Sequence, residues 1–177
     1  MLKDNLLFWK DIGASESIID WVKNGVHLSF NSSPVPYSQA NRVVSALHKQ
    51  FVNSEIQNLL NKGAISPVAY KPLCVSALSC VPKKNKKLRL ITDLSPLNEH
   101  VKSPYFKNEG IDVVSELLDC DDHLVTVDLK DGFHHVSVHP DSLDYLGIYW
   151  NKQYYTWNVL PFGLNCSPYI LTRSSGL

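Results

Sequence analysis

Asp128 closes an apolar run, HLVTVDL at 123–129, where a carboxylate can project from the end of a buried strand into a cleft. An oxygen donor so placed suits a hard divalent cation, and metal-assisted chemistry on phosphates is what it would serve. The residues alone leave a second use open, since Asp128 can also cap the turn that DGF (131–133) makes next. Upstream, KKNKKLR at 83–89 holds five cations and no acid. Lysines at a loop tip offer mobile point charges to a polyanion, and Arg89, entering the next strand, offers a planar fork that matches phosphate oxygens. Solvated surface charge is the plainer reading of each lysine. In LPFGL (160–164), Gly163 gives a loop freedom to run close to a ligand. His134, His135 and His139 form an HHxxxH pattern in a turn region without a second ligand set, so they read as structural or surface groups and not as zinc ligands. Cys74, Cys80, Cys120 and Cys166 are scattered with no CxxC pair, which suggests reduced thiols and neither a disulfide framework nor a zinc knuckle.

The elements that must carry these groups follow from periodicity. SESIIDWVKN (15–24) spaces Ile18, Trp21 and Val22 at helical intervals, with Asn24-Gly25 as a stop. PVPYSQ (34–39) is turn-rich and separates this leader from the main fold. A second helix is expected over 53–62, where Ser54 with Gln57 makes a capping-box pattern and Gly63 suits a left-handed terminating position. From Cys74 the period becomes two, and CVSALSCV and LRLIT read as strands joined by the cationic segment. A helix over 111–119 and a buried strand over 123–129 come next. YLGIYW and YYTWNV flank 151–153 as a hairpin, after which LPFGLNCSPYI turns into a final helix. The pattern is mixed α+β.

A chain of 177 residues, 44% hydrophobic and 19% charged, can bury one ordinary core. No apolar run approaches the roughly 20 residues that span a bilayer, and MLKDNLLFWKDIG carries acids where a signal peptide is apolar. The expectation is an intracellular protein, cytoplasmic or nuclear, without a membrane partner. The formal net charge is zero, so the chain lacks the overall basic balance of many nucleic-acid binders, and any polyanion must be met by the local cationic loop.

Three blocks stand in fixed order: VPKKNKKLRLITDLSPLN at 81–98, LVTVDLKDGFHHV at 124–136 and YTWNVLPFGLNCSP at 155–168. Together they resemble the fingers hairpin, first palm carboxylate and following loop of reverse transcriptases, and most of all those of long-terminal-repeat and DIRS-like retrotransposons. FWKDIGASESIIDWVKNGV also looks like the leader of the DIRS-like group. The resemblance implies an incomplete right-hand polymerase of fingers plus part of the palm. Its parts would be a leader at 1–38, a fingers-like region at 39–122 and a partial, truncated palm at 123–177.

The implied reaction is template-directed deoxynucleotidyl transfer onto a primer 3′-hydroxyl with two Mg²⁺ ions, Mn²⁺ being an alternative. The implied partners are an RNA or DNA template with primer and deoxynucleoside triphosphates, and the resemblance leaves the oligomeric state open. By the same resemblance Asp128 and the Leu129 carbonyl hold metal, and Lys84 and Arg89 meet the triphosphate. The backbone N–H groups of Asp131 and Gly132 would face it too. Phe133 would pack under the sugar and exclude a 2′-hydroxyl. Phe162 takes the place where retroviral relatives often carry glutamine and so contributes stacking or packing, beside Gly163. Reverse transcriptases of this kind also carry a Tyr-x-Asp-Asp hairpin beyond the third block, and 169–177 contains none. Two of three metal carboxylates are therefore missing from these residues. The expectation is a chain inactive by itself and prone to aggregation, or else a non-catalytic nucleic-acid-binding remnant.

Overall fold

The computed structural model describes residues 5–43, 45–82, 87–105, 118–119, 121–123, 125 and 128–175. Two short helices open the chain, α1 (Leu6–Asp11) and α2 (Glu16–Asn24). The latter covers the expected span and ends at Gly25, whose φ of 87° ends the helical hydrogen bonding. After β1 (Tyr37–Ser38) comes the longest helix, α3 (Ala46–Asn61). It begins seven residues before the expected start at 53. Ser45 supplies the cap, its hydroxyl accepting from the His48 amide at 3.1 Å, and the Ser54–Gln57 pattern lies inside the helix. Val52, Ile56 and Leu59 form the buried face. Gly63 follows with φ 66°, as expected for a terminating glycine.

The sheet places its strands in the order β1-β3-β5-β6-β2, with β4 paired to β3. Its remaining members are β2 (Ile65–Val68), β3 (Cys74–Pro82), β4 (Leu88–Asp93), β5 (Gly147–Trp150) and β6 (Gln153–Trp157). Strand β3 does two jobs. Its first residues lie between β1 and β5, both parallel to it, while Ala77 to Pro82 pair antiparallel with β4. The second half of β3 thus leaves the sheet as a two-stranded ribbon that points the cationic segment outward. The β5–β6 hairpin turns on Asn151 and Lys152, with φ 47° and 62°, the paired positive values that match strand twist in a two-residue turn. Asn53 of α3 holds that turn, its Oδ1 accepting from Trp150 Nε1 at 2.7 Å and Asn151 Nδ2 at 2.9 Å.

Leu78, Leu146, Ile148, Leu160, Leu164, Ile65 and Val52 fill the core between the sheet and α3. Short helix α4 (Ser95–Asn98) follows β4, two 3₁₀ helices span Gly132–His135 and Pro140–Tyr145, and α5 (Ser167–Ser175) provides the expected final helix.

One expectation fails. Among the described residues of 123–129, none lies in a strand, and Val125 and Leu129 are 86% and 55% exposed. An apolar run becomes a buried strand only when neighbours complete its ladder, and no described strand pairs with this one. The helix expected over 111–119 falls, except for its last two positions, outside the described residues, as do Cys120 and the lysines at 83, 84 and 86.

Candidate active site

A cleft of about 1450 Å³ opens between α3, β4, the turn at 131–134 and the loop at 162–163. Arg89, Asp131, Phe162 and Gly163 line it, so each of the three sequence blocks contributes to one wall. Arg89 is exposed on β4, opposite Val81 in the ribbon. Phe133 stands behind Phe162, ring centroids 5.0 Å apart in an edge-on arrangement worth about 0.5–1.5 kcal/mol beyond simple burial. Asp128 and Leu129 are exposed and are not among the lining residues. They reach the cleft through the next turn: a Cβ on Gly132 would lie 3.7 Å from the Leu129 Cβ and 3.2 Å from Leu171 of α5, so glycine lets this turn pack close to α5. Lys84 lies outside the described residues.

Three groups that hold this wall were not visible in the sequence. Lys62, at the end of α3, pairs with the Asp131 carboxylate at 2.7 Å. That hydrogen bond is the main reason the Asp131 carboxyl is held below its ordinary value, with burial opposing it. Asp131 itself adopts φ 54°, a left-handed conformation that aspartate tolerates better than most residues. Asn98 of α4 clamps the other loop: its Nδ2 donates to the Gly163 carbonyl at 2.8 Å and its Oδ1 accepts from the Asn165 amide at 3.0 Å. His134 sits between Trp157 and Phe162, at centroid distances of 5.6 and 5.2 Å. Burial depresses its pKa, only partly countered by Asp131, and neither ring nitrogen has a hydrogen-bond partner among the described residues. A neutral imidazole is thus held in an aromatic wall of the cleft. The partners of Lys62 and Asn98 lie 69 and 65–67 residues away, beyond any local sequence signal.

The family model described as "Reverse transcriptase (RNA-dependent DNA polymerase)" matches residues 81–174, just over half of the chain and all of this wall except α3. The chain belongs to the reverse transcriptase family. It is 29% identical over 126 residues to the Pol polyprotein of Equine infectious anemia virus, covering 67% of the chain and 11% of that protein. To the transposon Tf2-3 polyprotein of Schizosaccharomyces pombe it is 23% identical over 159 residues, 90% of the chain and again 11% of the relative. The chain therefore spans about a tenth of these polyproteins.

Among solved structures, it superposes on a prototype foamy virus protease–reverse transcriptase with a TM-score of 0.70 at 21% identity, covering 84% of the chain and 20% of that protein. A foamy viral protease–reverse transcriptase in complex with RNA/DNA hybrid gives 0.67 at 17% identity over 98% of the chain and 26% of its own. At those identities the likeness concerns fold, and it is the α+β fold of a right-hand polymerase, fingers and part of the palm. This is a reverse transcriptase domain of a retroelement polymerase. Among the described residues, no helix is long and apolar enough to cross a membrane.

Proposed function

We propose that the cleft receives a deoxynucleoside triphosphate against a template–primer, with 1–38 as leader, 39–122 as fingers and 123–177 as part of the palm. The observation that carries this reading is the convergence of Arg89, the turn at 131–134 and Phe162 on one cleft. Arg89 grips the triphosphate with its planar fork, with Lys84 beside it. The N–H groups of Asp131 and Gly132 face the same phosphates. Phe133 lies under the sugar, where a ring buttressed by Phe162 leaves no volume for a 2′-hydroxyl. Phe162 packs where a relative's glutamine would donate a hydrogen bond, and Gly163 lets its loop run close to the base.

Mg²⁺, or Mn²⁺ in its place, would be held by the exposed Asp128 carboxylate and the Leu129 carbonyl, oxygen donors suited to a hard cation. Such ions lower the pKa of an attacking hydroxyl and neutralise charge on the phosphates. Asp128 is one carboxylate, and two ions need more oxygen than it offers; the remaining ligands must come from outside these 177 residues. The same scarcity favours a second reading, a domain that holds nucleic acid without performing chemistry. Among the described residues, the cluster able to hold a metal lies elsewhere, at His27, His139 and Asp141.

Primer extension and binding separate the readings. The 177-residue chain is expected to bind an RNA template–DNA primer with a strong salt dependence and to extend nothing in Mg²⁺. Arg89→Ala should lower the slope of log K against log salt by about 0.7–0.9, one phosphate contact. Binding insensitive to salt would remove the cationic ribbon from the account. Extension by the 177 residues that survives Asp128→Asn would overturn the metal assignment. Extension restored by a Tyr-x-Asp-Asp segment, and abolished by Asp128→Asn, would decide for the polymerase over the binding remnant.

A further inference from the structure

Away from the cleft, two backbone segments distant in sequence run side by side. Val26 and Val138 form a parallel bridge, in which the Val26 amide donates to Ser137 O at 2.8 Å and the His139 amide to Val26 O at 2.9 Å. The Leu28 amide adds a third tie, to Ser142 Oγ at 3.0 Å. Gly25 makes the approach possible, because a Cβ there would lie 2.7 Å from both Val138 C and the His139 amide nitrogen. Val26, Leu28 and Val138 turn inward and are buried, so His27 and His139, each next along from the bridge, emerge together on the other side. Their rings stack at 3.5 Å between centroids, tilted by 25°. Asp141 completes the group, its Oδ2 lying 3.6 Å from His139 Nδ1.

We propose that His27, His139 and Asp141 form a site for a divalent transition ion of the Zn²⁺ type, clipping the leader to the body. One ligand atom from each of the three residues falls within 4.8 Å of the other two. Zinc with bonds of about 2.0–2.1 Å in tetrahedral geometry needs donors about 3.4 Å apart, close to the 3.6 Å between His139 Nδ1 and the Asp141 carboxylate. Nδ1 of His139 accepts a hydrogen bond from the Asp141 amide at 3.2 Å, so it carries the lone pair a metal requires. The ion replaces that long bond. Rotation of the exposed His27 ring about χ2 brings its own lone pair onto the same point. Two imidazoles and one carboxylate leave a fourth position for water, and this nitrogen-rich set selects zinc over magnesium. Because the bridge fixes both backbones before any ion arrives, little ordering remains to oppose binding.

Zn²⁺ titration of the 177-residue chain against a competing chromophore at pH 7.5 tests this. The expected result is one saturable equivalent, weakened at least tenfold in His27→Ala and in Asp141→Asn, unchanged in the distant His123→Ala, and lost at pH 5.5 where protons compete for imidazole. His27 caps no helix, so its variant isolates the ligand; far-UV circular dichroism checks that it folds. Zinc should also raise the melting temperature of the parent chain and not of His27→Ala. Absence of saturable binding in the parent chain overturns the proposal. So does full retention of binding in a His27→Ala, His139→Ala double variant, which would place the ion on cysteine.

Discussion

Replacing Asn98 with alanine tests whether the loop at 162–165 is held by one carboxamide. The side chain makes two bonds to that loop, with Nδ2 donating to Gly163 O at 2.8 Å and Oδ1 accepting from the Asn165 amide at 3.0 Å. A third contact, from Asn165 Nδ2 to the Asn98 carbonyl at 3.1 Å, uses the backbone and survives the change. Each lost bond is worth about 1 kcal/mol net, and the freed loop groups lie near solvent, so water limits any further desolvation penalty. The expected loss is about 2 kcal/mol. Asn98→Asp keeps the acceptor and loses only the donor, for a loss of about 1 kcal/mol. Urea unfolding measures both, with an unchanged m-value as the sign that stability alone has moved. A loss under about 0.5 kcal/mol for Asn98→Ala, or a larger loss for Asn98→Asp than for Asn98→Ala, would refute the clamp. The ranking matters more than the absolute values, because a loop held by packing would lose the same amount in both variants.

Gly147→Ala should cost about 1–3 kcal/mol in a thermal or urea melt, since the new Cβ would lie 2.6 Å from both the Cys74 carbonyl oxygen and the Pro72 Cβ in the middle of the sheet. His134 is held neutral by burial, its pKa lowered from 6.5. The unfolded chain therefore takes up the proton first; stability is full above pH 6.5 and falls as pH drops through the folded value, and His134→Phe should flatten that part of the pH–stability curve. Asp131 is lowered from 3.8, chiefly by Lys62, so its contribution is present above 3.8 and lost as pH falls through the folded value. Lys62→Met should remove this acid-range slope while leaving the neutral-range slope of His134 in place.

Period-two alternation located both hairpins because each strand pairs within the chain nearby: β3 with β4, and β5 with β6. The same logic misplaced the start of α3, where Ser54 and Gln57 imitate a cap while Ser45, next to a residue outside the described set, does the capping. It also misread 123–129. Alternation reports that a segment has apolar side chains to bury, and Val125 at 86% exposure shows that burial needs a neighbour no periodicity supplies. The roll of candidate residues fared differently by kind. Arg89, Asp131, Phe162 and Gly163 meet at one cleft, whereas Asp128 stands outside its lining.

That division has a structural cause. The cleft's described residues come from elements closed by contacts the chain itself provides: a ribbon continuous with a sheet strand, a turn tethered to α3 by Lys62, and a loop tied to α4 by Asn98. Asp128 precedes the tethered turn, in a segment whose described members are exposed and outside every strand. A metal carboxylate needs its position fixed to within about 0.5 Å by supporting bonds. The triphosphate-facing half of the site is thus supported within these residues. The metal half has the right oxygen donor and still lacks the frame that would aim it. Ordering of 123–129 should therefore accompany, and not precede, the arrival of a strand beside it. Amide exchange at Asp128 and Leu129, fast in the 177-residue chain and slowed when a Tyr-x-Asp-Asp segment is joined to it, would display that dependence; equal exchange in both would show that the carboxylate is framed by other means.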